Sequence, residues 1–386
     1  MSSYININNL ELIFGKGKSL EKAKAMIKDG KTNKEIRKTT KCTVGVRKVD
    51  FEITKGELFV IVGLSGSGKS SLIRCFNLLN RPTSGNIEIN GEDITKLTDD
   101  NLLALRRQKI SMVFQNFGLL SHRTVLENVE YGLEIQKIDK DERIKACIEA
   151  VDVVGLKGWE NYYPSQLSGG MKQRVGLARA IATDPEILLM DEPYSALDPL
   201  IRRDMQDELL NLEDYIDKTI IFITHDMNEA FKLGDRIALM KDGEIVQLGK
   251  PKEFFNSPAS KYVEDFIADV DKTKVLRARQ IMNPVMNVII ENISVEEAKT
   301  KMSTLNVDSL YVIDENDVLL GVIDSSISLE KKISEQYKAV ESIRGNKFVN
   351  DLIPLLDASE HALAVVDSKK RLKGVIDNET LISAII

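Results

Sequence analysis

Three short apolar runs punctuate the first two thirds of the chain: Phe59-Val60-Ile61-Val62, Ile187-Leu188-Leu189-Met190 and Ile220-Ile221-Phe222-Ile223-Thr224. Each is continuous rather than alternating, rich in branched side chains, and too short for a helix. That is the pattern of a parallel strand covered on both faces. A further strand is expected just before Phe114-Gln115. Between them the pattern predicts helices over Ser71–Phe76 and Met171–Ala182. Nearer the start, Lys22–Lys28 and Lys34–Lys38 read as two short helices joined around Asp29-Gly30-Lys31.

The pattern changes near residue 270. Ala268–Lys274 reads as a polar linker or the start of a connecting helix. Beyond it, Leu310–Asp324 (LYVIDENDVLLGVID) aligns with Leu363–Asp377 (LAVVDSKKRLKGVID), 53 positions apart with eight of fifteen residues identical. Each copy reads strand, turn, strand, and an amphipathic stretch precedes each, Val295–Met302 and Val349–Leu356.

Length and composition narrow the classes. A chain of 386 residues suggests two or three domains. With 43% hydrophobic and 29% charged residues it should fold as a soluble globular protein. A net charge of −6 gives no general attraction to nucleic acid. Cys42, Cys75 and Cys147 form neither a metal-ligand spacing nor a disulfide framework, which fits a reducing cytoplasm. No signal peptide opens the chain and no run of apolar residues is long enough to span a membrane.

Chemistry enters with Gly63-Leu64-Ser65-Gly66-Ser67-Gly68-Lys69-Ser70, directly after the first apolar run. Strand, glycine-rich loop, helix is the context in which this spacing cradles phosphates. Gly63, Gly66 and Gly68 let backbone N–H groups turn inward. The helix beginning near Ser71 adds a favourable dipole. Lys69 should reach the β- and γ-phosphates, and the Ser70 hydroxyl should ligate Mg²⁺. The second run ends in Asp191-Glu192, which puts a carboxylate near that metal.

A second glycine-rich stretch, Leu167-Ser168-Gly169-Gly170-Met171-Lys172-Gln173-Arg174, lies between the loop and Asp191. Loop, stretch and acidic pair in that order resemble the ATP-binding-cassette (ABC) ATPases over roughly residues 1–268, closest to the ATPase subunits of glycine betaine/proline-type osmolyte importers. The resemblance implies an α/β fold: a parallel core, a helical subdomain around 120–175 and an antiparallel β subdomain near the N-terminus. It implies Mg²⁺ with ATP as cofactor, with Asp191 acting on the metal through water and Glu192 polarising the attacking water. Gln115, in Val113-Phe114-Gln115-Asn116, matches the glutamine that contacts metal and water. His225 matches the histidine that contacts the γ-phosphate. Asp198, in Ser195-Ala196-Leu197-Asp198, matches a loop that crosses to a partner subunit. Leu167, Ser168, Gly169, Gly170 and Gln173 match the signature motif, which completes the phosphate loop of the opposite subunit. A homodimer with two equivalent sites follows, each holding ATP with Ser71 also in the loop. Phe14 is the candidate for stacking adenine; a plain core role is the other reading.

Further matches refine the resemblance. Phe117-Gly118-Leu119-Leu120 and Thr124–Val129 resemble the region that receives a helix from a membrane subunit. Ala196–Arg203, continuing into Met205–Leu209, resembles the betaine-type ATPases, with Pro193-Tyr194 departing from their usual Ala-Phe. The implied function is ATP hydrolysis powering uptake of a compatible solute, glycine betaine first, at the cytoplasmic face of the membrane with a permease and a substrate-binding protein. Proline, carnitine or choline are alternative substrates, and a soluble ABC protein is an alternative class. The insertion over 15–44 holds nine lysines and Arg37 against Glu21, Asp29 and Glu35 between Lys16 and Lys41. It reads either as a solvated excursion or as a basic patch facing an anionic lipid surface, an attraction that salt weakens. Nucleic acid is not an expected partner, because no aromatics interleave the charges.

The repeat resembles a tandem pair of cystathionine-β-synthase (CBS) modules, 279–329 and 336–386, after a linker at 269–278. Such pairs commonly bind adenine-containing ligands. Here the position expected to carry a ribose-binding Asp is Ile327 in one copy and Thr380 in the other. An ordinary ATP or AMP site is therefore not expected. A cyclic dinucleotide between two pairs and a purely structural role both remain open.

Overall fold

A computed structural model describes residues 3–115, 118–195, 197–213 and 218–385. Asn116, Phe117 and Ala196, named in the motif segments above, lie outside the described residues. The chain separates into two compact units, Met1–Ala268 and Asp269–Ile386.

The apolar runs of the first unit do form neighbouring buried strands. Its larger sheet has the order Glu244–Gly249, Arg236–Lys241, Leu58–Val62, Thr219–Thr224, Ile187–Asp191, Ile110–Val113. All neighbours are parallel except the first pair. Every residue of Leu58–Val62, Ile187–Asp191 and Thr219–Thr224 is buried, which is why those runs do not alternate. A parallel sheet collects the carboxyl ends of its strands along one edge, where ligands bind in open α/β sheets. A second, antiparallel sheet orders Thr43–Thr54, Ser3–Phe14, Ser84–Ile89 and Glu92-Asp93. One apolar cluster, including Phe51, Phe59, Phe76 and Met240, joins the two sheets.

Helices Val125–Ile135, Lys140–Val153 and Gly169–Ala182 pack on one another as a helical subdomain. The last starts two residues before Met171: Ser168 caps it by accepting from the Met171 N–H at 3.3 Å, and Gly169 and Gly170 belong to its first turn. The helix after the phosphate loop also differs from expectation: it spans Lys69–Ile73. Beyond it the chain tightens into i→i−3 bonds at Cys75, Phe76 and Leu78, and Leu78 takes a φ of 51°.

The basic insertion folds as a helical hairpin, Gly17–Lys28 and Asn33–Thr40, longer than the charge pattern suggests. A capping box between Thr32 and Glu35 starts its second helix. Ala23, Ile27 and Ile36 bury themselves with Ile13 and Cys42 against the ends of the first two strands.

The second unit contains the same build twice: strand Val288–Ile290, helix Val295–Leu305 and strands Ser309–Ile313 and Leu319–Asp324, then Ser342–Arg344, Val349–Asp357, Leu363–Val366 and Leu372–Ile376. Each three-stranded sheet has one parallel and one antiparallel pairing. The copies join through matched turns, Leu319 N donating to Lys370 O at 3.0 Å and Leu372 N to Asp317 O at 2.9 Å. Val275, Leu276, Arg277 and Ala278, in the stretch read as linker, are buried in this unit.

Candidate functional site

The phosphate loop leaves Val62 and turns back into Lys69, bounded by Gly63 and Gly68 in conformations with φ of 156° and 108°. A side chain at Gly63 would meet the Met240 carbonyl at 2.2 Å, and one at Gly68 would meet the Gly45 carbonyl at 2.1 Å. These two glycines are demanded by neighbouring backbone. Gly66 differs: its φ is 82° and nothing lies near its missing Cβ, so it faces open space. Lys69 is buried, and its Nζ donates to the carbonyls of Gly63 at 2.8 Å and Leu64 at 3.1 Å. Burial pulls its ammonium below the usual lysine range, while Glu192 and Asp191 oppose that shift. The Ser67 hydroxyl is buried without a hydrogen-bond partner among the described residues. A looped backbone, a buried cation and an unpaired hydroxyl fit a polyphosphate. With a five-residue helix behind the loop, its amides and Lys69 count for more than a macrodipole.

The strand ends supply the rest. Asp191 is buried; its Oδ1 accepts from Ser70 Oγ at 2.8 Å, and its Oδ2 pairs with the Arg74 guanidinium at 3.1 Å. A hydroxyl and a carboxylate side by side are the hard oxygen donors that suit Mg²⁺. Glu192, the next residue, has a φ of 48°. A non-glycine residue held there stores strain, and such residues cluster at working sites. Its Oε1 lies 3.6 Å from Lys69 Nζ and its Oε2 lies 3.2 Å from His225 Nδ1. Gln115 donates to Ser195 Oγ at 3.3 Å, and that hydroxyl donates to the Glu192 carbonyl at 3.0 Å. Lys69, Ser70, Gln115, Asp191, Glu192 and His225 are thus one connected cluster. Phe14 is 45% exposed, at the end of its strand and within reach of Gly45 beside Ser71. Its ring is therefore not a core ring.

The signature residues form a separate group, and the structure divides them. Ser168 and Gly169 are exposed at the helix start, whereas Leu167, Gly170 and Gln173 are buried. A Cβ at Gly170 would meet Ile201 Cγ2 at 2.6 Å, so this glycine serves close packing on helix Pro199–Glu213. Asp198 is exposed just before that helix. Tyr194 is fully buried, its ring tilted against Phe222 and its hydroxyl donating to the Met205 carbonyl at 3.3 Å. That bond satisfies the polar atom the departure from Phe introduces.

Sequence reasoning gave Arg74 no role and read Ser195 only as part of the loop before Asp198, not as the link between Gln115 and Glu192. Arg74 lies four residues after Ser70, on the same face of the helix and its continuing turn, which is the available signal. Ser195 needed tertiary structure. Near Gln115 lies a groove of about 280 Å³ lined by Leu79, Arg106, Arg107, Phe114, Tyr131 and Arg179.

Fold and cluster define a P-loop nucleotide-binding ATPase domain. A family model described as ABC transporter matches residues 46–195, and one described as CBS domain matches 278–326. The chain is 50% identical over 390 residues to the glycine betaine transport ATP-binding protein OpuAA of Bacillus subtilis, covering 99% of this chain and 92% of that protein. It is 39% identical over 395 residues to the glycine betaine/proline betaine transport system ATP-binding protein ProV of Escherichia coli, covering 100% and 98%. The dimeric post-hydrolysis structure of the ATP-binding cassette MJ0796 bound to ADP and Pi superposes with a TM-score of 0.54 at 33% identity, covering 64% of this chain and 98% of that one. The chain belongs to the ABC transporter family as an ATP-binding subunit, and its activity is ATP hydrolysis. Among its described residues no helix is long and apolar enough to cross a membrane.

Proposed function

We propose that this subunit powers import of a compatible solute, glycine betaine first, through a separate permease served by a substrate-binding protein. The relatives named above carry that substrate in their names, which is the support for it. A carnitine or proline substrate would leave every residue role unchanged, because solute choice belongs to the partner chains. The groove beside Gln115, apolar with three arginines, is the surface for the permease helix, at the cytoplasmic face of the membrane.

The reaction is ATP + H₂O → ADP + phosphate. The observation that carries the mechanism is Glu192, strained and held between Lys69 and His225. Glu192 takes the proton from the attacking water as oxygen bonds to the γ-phosphorus and the β–γ bridge breaks. His225 holds that carboxylate and reaches the γ-phosphate. Lys69 and the amides over Gly66–Gly68 neutralise the β- and γ-phosphates. Ser70 and Asp191 would hold Mg²⁺, with Gln115 completing its surroundings; the ion supplies charge neutralisation across the phosphates. Phe14 stacks on adenine. Ser168 and Gly169, exposed at a helix N-terminus, complete the site of a second copy, and Asp198 crosses with them. Leu167, Gly170 and Gln173 shape that helix from inside. The fold likeness to a dimeric cassette supports this homodimer.

The basic hairpin faces the anionic inner leaflet, as its ten cations against three acids suggest. The second unit, read as two CBS modules, is regulatory or dimerising. The test is ATPase activity of the chain with its permease in phosphatidylglycerol liposomes, with and without glycine betaine and its binding protein. Stimulation by glycine betaine supports the reading; stimulation only by another solute replaces the substrate.

A further inference from the structure

The basic hairpin and the phosphate loop share no direct hydrogen bond among those described, yet a chain of hydrogen bonds through the sequence-distant turn Asp242-Gly243 joins them. Ser67, inside the loop, accepts at its carbonyl from Gly243 N at 2.8 Å. Gly243 in turn accepts at its own carbonyl from Arg47 N at 2.8 Å. The Arg47 side chain, largely buried, donates from Nη1 to the Lys31 carbonyl at 2.9 Å and from Nη2 to the Ile27 carbonyl at 3.5 Å, both in the hairpin. Its Nε pairs with Glu244 at 3.0 Å, one residue past the turn. A second tie runs from Asn33 Nδ2, at the start of the hairpin's second helix, to the Asp242 carbonyl at 2.5 Å. The turn Asp242-Gly243 is therefore held on one side by the hairpin and on the other by the loop.

The space around this turn leaves little slack. The Met240 carbonyl abuts Gly63 and the Gly45 carbonyl abuts Gly68, at the two ends of the phosphate loop. A Cβ on Gly243 would lie 3.4 Å from that same Gly45 carbonyl, and Gly243 has a φ of 89°. Gly45 also lies against the Phe14 ring, while Ile13 and Val44 pack into the hairpin's own apolar cluster. A displacement of the hairpin has close-packed backbone to push against, and that backbone carries both ends of the nucleotide site.

We propose that Arg47 is a positioning residue for the phosphate loop, and that through it the basic hairpin sets the nucleotide affinity of its own chain. The identity of what binds the hairpin rests on the anionic-surface reading above; the positioning role does not. The Arg47 side chain bonds Ile27, Lys31 and Glu244 rather than any residue of the phosphate loop. It fixes where the Asp242-Gly243 turn presents its amide to Ser67.

The test uses the full chain with Arg47→Ala, Arg47→Lys and Asn33→Ala, reading the dissociation constant of a fluorescent ATP analogue, KM and kcat for ATP, hydrogen exchange over 63–71, and the melting temperature. Losing the Arg47 side-chain bonds should weaken nucleotide binding about five-fold, and losing the Asn33 bond about two-fold, at hydrogen-bond magnitudes. The change should fall on KM rather than kcat, with faster exchange in the loop and partial recovery in Arg47→Lys. Asn33 is a peripheral site, so its variant keeps the test alive if Arg47→Ala misfolds. Lower melting temperatures with unchanged affinity and unchanged loop exchange would overturn the proposal and leave a structural brace. A parallel arm adds phosphatidylglycerol vesicles. An affinity shift in the wild type that both alanine variants blunt, with vesicle binding intact, supports the link. If vesicles do not bind the wild type, the anionic-surface reading fails, and the variants decide the positioning role alone.

Discussion

The two units treat their motif positions in opposite ways. In the cassette, the residues at the sheet edge leave polar groups that packing has not used: a Cβ built on Gly66 would meet nothing, Ser67 Oγ is buried yet unpaired among the described residues, and the His225 and Gln115 side chains are exposed. In the second unit, the positions where the CBS resemblance places ribose-binding carboxylates are spent on the fold. Ile327 is 5% exposed, packed with Leu310, Val312 and Ile323. Thr380 is 6% exposed, donating to Asp377 at 2.6 Å and accepting from Asn283 at 2.8 Å. A repeat with eight of fifteen identities thus marks a shared build without marking a site. A site requires polar groups that packing has left over.

The largest expected effect lies in the cassette. Glu192→Gln should bind ATP yet release phosphate at least about 100-fold more slowly, the ordinary reach of a general base. Full turnover in that variant would remove Glu192 from the mechanism. Next is Ile327→Asp, which restores the carboxylate the resemblance lacks. Because the site is packed, it should cost about 3 kcal/mol or more rather than create a ligand site. The comparison breaks if this variant, in a Lys69→Ala background, folds normally and binds AMP by calorimetry.

Thr380→Val keeps the volume and removes the hydroxyl's hydrogen bonds to Asp377 and Asn283, leaving the backbone bond to Asp377 in place. It should destabilise the second unit by about 1–3 kcal/mol, seen as faster hydrogen exchange over 378–385 with ATPase activity unchanged. The smallest effect concerns Cys75, behind the phosphate loop, whose thiol burial pushes up to about 12. A raised value means little thiolate at neutral pH, so maleimide labelling of the folded chain should be slow and should accelerate on unfolding. Rapid labelling that leaves ATP binding intact would show that this core is looser than its packing implies.

Much of the cassette was legible in the chain. The buried parallel strands announced themselves because burial on both faces abolishes alternation. Gly63–Ser70, Asp191 and Glu192 were readable because phosphate and metal chemistry accepts few residue types at fixed spacing. Their cofactor chemistry stays a proposal, supported by the Ser70–Asp191 pair. The hairpin was visible as charge, but its helix lengths were not, since Ala23, Ile27 and Ile36 are buried by strand ends that local pattern cannot see. The signature stretch was read as one motif, whereas its residues divide between an exposed helix start and a buried face.

By itself the sequence determined what is local or repetitive: the strand runs, the glycine spacing of the loop, the duplicated C-terminal build and the absence of carboxylates at 327 and 380. Tertiary structure alone decided what depends on distant backbone. Gly63 and Gly68 answer to the Met240 and Gly45 carbonyls, Gly170 to Ile201, and Asp191 to Arg74. It also decided that Ser67 hangs from the same turn that Arg47 and Asn33 hold. Spacing rules act along the chain, whereas close packing and hydrogen-bond satisfaction act between segments that only folding brings together.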